Sequence, residues 1–201
     1  MAPERVFRGD FSGGILAEVK ADGTVDIMVV GVTEKDRLDY LKANNLPVTT
    51  DDMKIKLLGG CADSPEATPG QVLEQEIREE AFEGKCVLGP SLLVFERRKR
   101  STDPKALSAE HVQRFFLVTR WDGEVRKRDM LEDEGDEFLS PPQMVEFRKL
   151  HSIIFGTHLA PIFKAIEALA KVHSRVAGQY SDLLAAFNRG EIKPFGNSKR
   201  R

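Results

Sequence analysis

The chain has 201 residues, of which 41% are hydrophobic and 31% charged, and it carries a net charge of −2. That length can bury a real core as one domain with an extension, and the near-neutral balance argues against general nucleic-acid affinity. No uninterrupted apolar run approaches membrane length, the opening MAPERVFRGDF lacks the apolar core of a secretory signal, and Cys61 and Cys86 make no disulfide framework, so a cytoplasmic protein is expected.

Apolar-rich runs at 15–20 and 24–32 flank Ala21-Asp22-Gly23 and predict a β-hairpin. Residues 33–53 are polar, with a short helical pattern near 36–42, and read as an insertion before a strand at 54–58. After Gly59-Gly60 comes the best-marked helix, over residues 69–83. Thr68 suits its N-cap, Pro69 suits its first position, Gln71 completes a capping box, and Gly84 supplies a stop. Strands follow at 91–96 and 112–121, separated by a polar loop, with Asp122-Gly123 as a turn. Ser140-Pro141-x-Gln143 has the form of a second capping box and predicts a helix through residue 150. Leu159, Ile162, Phe163, Ile166 and Leu169 follow helical spacing, as do Tyr180, Leu183, Leu184 and Phe187. Both stripes suit packing on the domain or on a second subunit, a homodimer being one arrangement they permit. GNSKRR reads as a basic tail.

The 69–83 helix crowds Glu76, Glu79, Glu80 and Glu83 into an arc of about 100°, beside an apolar stripe of Leu73, Ile77 and Ala81. Its four i,i+3 and i,i+4 like-charge pairs cost about 0.2–0.5 kcal/mol each, roughly 1–2 kcal/mol together. Arg78 falls on the far side and offers no relief. A divalent cation would, and oxygen-only ligands suit Mg²⁺ or Mn²⁺. The bland alternative is a solvated face on a helix rich in a common helix former.

The order of strand, Gly59-Gly60, loop with Glu66, and helix with Glu76-Ile77-x-Glu79-Glu80 resembles the Nudix hydrolase box, G-x5-E-x7-R-E-U-x-E-E-x-G-U. Gly60 matches the box glycine, and Glu76, Ile77, Glu79 and Glu80 match E, U, E and E. Gln75 stands where the family has Arg and Phe82 where it has Gly, and Glu66 fits with one extra residue before the helix.

The resemblance implies an α/β/α sandwich with a mixed sheet, expected as a Nudix-like domain over residues 1–156, and the two helical stripes then form a C-terminal helical extension which, with the basic tail, occupies 157–201. It implies a hydrolase that uses Mg²⁺ or Mn²⁺ to cleave the diphosphate linkage of a small nucleoside diphosphate derivative. Glu76, Glu79 and Glu80 are then the metal ligands, with the Gly60 carbonyl as a further one. Glu79, Glu80 and Glu83 are the candidate catalytic carboxylates, and the acidic loop with Glu132, Glu134 and Glu137 is a second place for a general base or simply a solvated turn. The alternative is a Nudix-like nucleotide-binding module with weak or no turnover, because glutamine at 75 lacks the charge with which the family's Arg braces a box carboxylate. Arg97, Arg98, Lys99 and Arg100 read as a phosphate-binding cluster or a solvated hairpin tip, and Phe95, Phe115 and Phe116 as base-stacking rings or core. Cys61 has no His near it in sequence and reads as a loop or packing residue rather than a nucleophile.

Overall fold

The computed structural model describes residues 10–194 other than 34, 48, 50–52, 63, 65, 101–109, 127–130 and 133–137. In chain order the elements are β1 (Phe11–Val19), β2 (Val25–Thr33), α1 (Lys35–Ala43), β3 (Lys54–Lys56), β4 (Leu58–Cys61), α2 (Pro69–Ala81), β5 (Val87–Leu88), β6 (Ser91–Arg100), β7 (Glu110–Val118) and β8 (Trp121–Asp122). There follow β9 (Leu131–Glu132), β10 (Phe138–Leu139), β11 (Gln143–Glu146), α3 (Phe147–Leu150), a 3-10 turn (Gly156–His158), α4 (Leu159–Val172) and α5 (Ser174–Asn188).

The main sheet runs β6-β7-β1-β2-β10-β9, with β4 also on β1, and β3 and β11 also on β2. It is mixed: β1 and β7 are parallel, while β1–β2, β1–β4, β2–β3 and β6–β7 are antiparallel. Because successive strand residues point to opposite faces, the two sides of the sheet separate cleanly. Leu16, Met28, Val30 and Leu58 pack with Leu73, Ile77 and Ala81 of α2. Ile15, Ile27, Val29, Leu57 and Phe115 pack with Ile162, Phe163 and Ile166 of α4 and Val176 and Tyr180 of α5. The result is an α/β/α sandwich. A strand covered on both faces has no polar side, which is why β2 reads as the near-continuous apolar run VDIMVVGVT. Each large side chain fully buried here contributes about 1.5–3 kcal/mol.

Both C-terminal stripes cover this molecule's own sheet. Leu159, Ile162, Phe163, Ile166 and Leu169 are all buried, and Leu183, Leu184 and Phe187 pack against the same cluster. The Phe163 and Phe187 rings stack with centroids 4.1 Å apart, joining α4 to α5. Among the described residues, no helix is long and apolar enough to cross a membrane.

Two expectations are corrected. Ser140-Pro141-x-Gln143 does not open a helix. Residues Gln143–Glu146 form β11 on the edge of β2, and only Phe147–Leu150 is helical, with the Glu146 side chain as its N-cap. Two adjacent prolines hold the preceding residues extended, and Ser140 Oγ accepts from the Gly31 N–H at 2.7 Å, serving the sheet instead of a helix. The basic run at residues 97–100 stands at a strand end, as the last four residues of β6, and is paired with β7 as far as Arg100–Glu110 rather than lying in the turn.

Candidate active site on the carboxylate face of α2

Helix α2 begins as its sequence demands. The Thr68 N–H donates to Gln71 Oε1 at 2.8 Å, and the Gln71 N–H donates to Thr68 Oγ1 at 3.3 Å. It ends earlier than expected. Phe82 is extended (φ −124°, ψ 149°) and fully buried in the α2-side core, with a bridge to Val125. Burying that ring pulls the chain out of the helix, and the next residue's N–H donates to the Glu124 carbonyl at 2.8 Å. Glu83 therefore lies beyond the helix, exposed, and only Glu76, Glu79 and Glu80 share the helical face.

The roll of the helix is set by Leu73, Ile77 and Ala81, all buried. Glu80, three residues from Ile77, is carried to the inner margin and is only 9% exposed. A carboxylate so buried needs partners. Lys56 of β3 supplies an ammonium, Nζ donating to Glu80 Oε1 at 2.8 Å, and the Gly59 N–H donates to Glu80 Oε2 at 2.7 Å. The Lys56 side chain is itself 18% exposed.

The two glycines have separate tasks. Gly59 has φ +135°, a conformation unsuited to L side chains, and a Cβ there would lie 2.4 Å from the Ser12 carbonyl oxygen. A Cβ on Gly60 would lie 2.2 Å from Glu76 Oε2, so the Glu76 carboxylate rests on the bare Cα of Gly60. Ser12 is the register partner of Gly60 and therefore faces the same side of the sheet. Its hydroxyl is buried and has no hydrogen-bond partner among the described residues. Arg114, aligned with Ser12 on the parallel neighbour β7, donates to Asp10 at 2.8 Å and to Glu96 at 3.2 Å.

Glu79 is exposed, as is Glu66, whose N–H donates to Ser64 Oγ at 3.2 Å. Gln75 is half-buried beside Glu76. The Glu132 side chain, Glu134 and Glu137 lie outside the described residues. Phe115 is buried in the α4-side core, Phe95 packs on that core, and Phe116 packs on the α2-side core. Arg97 Nη2 donates to Gln113 at 2.7 Å, and Arg98 pairs with Glu96 and Glu110. Cys61 is exposed at the end of β4, while burial pushes the Cys86 thiol pKa up.

Among the described residues, no three His, Cys, Asp or Glu side chains converge as a ready-made metal cluster. The local chemistry nevertheless fits a hard divalent cation. The donors are oxygens, the cradle over Gly60 admits a carboxylate only because a Cβ is missing, and a hydroxyl without a partner among the described residues lies on the same face.

Sequence reasoning did not find Lys56, Ser12 or His158. His158, in the 3-10 turn before α4, accepts from the Leu57 N–H immediately ahead of the glycine strand. A lysine three residues before a Gly-Gly pair carries no signal of its own. Its role depends on β3 pairing with β2, where Lys56 aligns with Val30 of the α2-side core.

No family model matches the chain, and no curated protein matches it. Solved structures do. The NUDIX domain of Shewanella oneidensis NrtR, complexed with ADP ribose, matches with a TM-score of 0.51 at 13% identity, over 80% of this chain and 88% of that one. The Nudix hydrolase RenU of M. smegmatis matches with a TM-score of 0.50 at 10% identity, over 83% of this chain and 89% of that one. At such identities the likeness is one of fold: this chain has the Nudix fold.

Proposed function

We propose that the protein is a cytoplasmic hydrolase that opens the diphosphate linkage of a nucleoside diphosphate derivative with the help of Mg²⁺ or Mn²⁺. The reading is carried by one observation: on the Nudix fold, at the junction of glycine strand and helix, Glu76 is seated on Gly60 while Glu80 is clamped by Gly59 and Lys56. Glu76, Glu79 and Glu80 would hold the cation, with the Gly60 carbonyl as a further ligand. The cation supplies charge neutralisation at the diphosphate oxygens and lowers the pKa of water.

The chain's own residues do the rest. The Gly60 cradle fixes the depth of the Glu76 carboxylate, and the Gly59 N–H fixes the orientation of Glu80. The Ser12 hydroxyl can donate to an oxygen entering beside Glu76. Glu83, exposed just past the helix, is the carboxylate suited to act as general base beside Glu76, Glu79 and Glu80.

A second reading, a nucleotide-binding module with little turnover, is favoured by the uncharged Gln75 and by the ammonium already on Glu80. A screen of nucleoside diphosphate derivatives with Mg²⁺ and Mn²⁺, beginning with ADP ribose and scoring released phosphate species, separates the two. Turnover supports the hydrolase. Binding without turnover supports the module.

A further inference from the structure

The electrostatics of α2 raise a question that its own sequence does not answer. Three carboxylates at i, i+3 and i+4 repel one another, and Arg78 of the same helix is exposed. Glu80 is nevertheless drawn in to 9% exposure, which a carboxylate tolerates only with a counter-charge and hydrogen bonds on its oxygens. The counter-charge comes from a different element. Lys56 aligns with Val30 in the β2–β3 ladder, lies over the α2 side of the sheet, and brings Nζ within 2.8 Å of Glu80 Oε1. The residue type matters. An ammonium on a four-carbon stem is a compact point charge that can swing aside, unlike a bidentate guanidinium fork.

We propose that Lys56 is the resident counter-cation of this site, and that an entering divalent cation competes with it for Glu80. The inference rests on the reading that the carboxylate face holds a divalent cation. Lys56 keeps the buried carboxylate satisfied and aimed while the site is empty. When a divalent cation arrives, a positive charge already stands against one of its ligands and opposes it. Lys56 thus sets the cation concentration at which the site fills, exchanging affinity for order.

The test compares Mg²⁺ and Mn²⁺ binding, by calorimetry and by the rise in melting temperature, in the parent, Lys56→Met, Lys56→Arg and Glu79→Gln. Lys56→Met leaves Glu80 buried without its ammonium and should melt lower than the parent in chelator. It should bind the divalent cation about tenfold tighter or more, since like charges a few ångströms apart no longer oppose each other. Its melting temperature should therefore climb further with cation than the parent's. Lys56→Arg keeps the charge and can grip Glu80 with a bidentate fork, so it should bind cation as weakly as the parent or more weakly. If Lys56→Met folds only with cation present, recovery in Mg²⁺ but not in NaCl of equal ionic strength gives the same answer, and failure in both, with Lys56→Gln folding and binding as the parent does, overturns the proposal. Cation binding that Glu79→Gln weakens but Lys56→Met leaves equal or weaker overturns the role of Lys56 alone. No binding in the parent, Lys56→Met or Lys56→Arg overturns the cation site and this inference with it.

Discussion

His158 Nδ1 accepts a hydrogen bond from the backbone N–H of Leu57 at 3.0 Å, joining positions 101 residues apart in the chain. The bond needs an unprotonated Nδ1, and it ties the turn before α4 to the strand that carries Gly59 and Gly60. Phe115 meets the ring edge-on at 5.3 Å. Burial, with Lys56 and Arg97 nearby, pushes its pKa down to about 3.

That shift has a definite sign. An unfolded His titrates near 6.5, and in the fold its neutral form is favoured down to about 3. The resulting stability is fully present above pH 6.5 and is lost as pH falls from 6.5 toward 3. Its slope is at most about 1.4 kcal/mol per pH unit. Chemical denaturation at pH 8, 6, 5 and 4 should show this slope in the parent and a shallower one in His158→Asn. Parallel curves would contradict the buried neutral imidazole.

The two glycines should respond differently to alanine. At Gly60 the obstacle is the far end of a flexible glutamate, so Gly60→Ala should fold with a loss within about 1 kcal/mol. Displacing Glu76 should nevertheless cut hydrolysis at least about tenfold. At Gly59 the obstacle is backbone and φ is +135°, so Gly59→Ala should cost at least about 1–3 kcal/mol. Denaturant melts and rates on both variants check this. Equal stability losses would mean that the cradle over Gly60 is wrongly placed.

Helix α5 is pinned by a buried phenol. Tyr180 Oη accepts from the Val25 N–H at 2.8 Å and donates to Glu146 at 3.2 Å, joining α5 to β2 and β11. Tyr180→Phe keeps the ring and strands the Val25 N–H, so it should cost about 1–3 kcal/mol. A midpoint unchanged in urea would show that the Tyr180 hydroxyl adds nothing to the apolar packing that holds α5.

The parts of this molecule that could be read from its sequence are those whose physics is local. The Thr68–Gln71 box, the Leu73–Ile77–Ala81 stripe and the α4 stripe each lie within a few turns, and each forms as expected. What could not be read depends on pairing across the chain. The helical arc puts Glu80 among its neighbours, but only the sheet below decides that Glu80 is buried and Glu79 exposed. Lys56 and His158 reach the site through β3 and through the turn before α4. Ser140–Leu150 carries a local helix signal that loses to the open edge of β2, and Glu83 loses its place on the helix to the burial of Phe82.

The central claim is that the carboxylate face of α2 works through a bound divalent cation on a diphosphate. Glu79→Gln tests it best, because Glu79 is exposed and its loss relieves repulsion. The apo variant should be as stable as the parent, or more so by up to about 1 kcal/mol. The deciding measurement is the rate of diphosphate hydrolysis of a nucleoside diphosphate derivative by parent and variant, with saturating Mg²⁺ and with chelator. The account predicts turnover by the parent only with cation, and a fall of at least about 100-fold in Glu79→Gln. Equal rates in the two proteins, or parent turnover that survives the chelator, would contradict it.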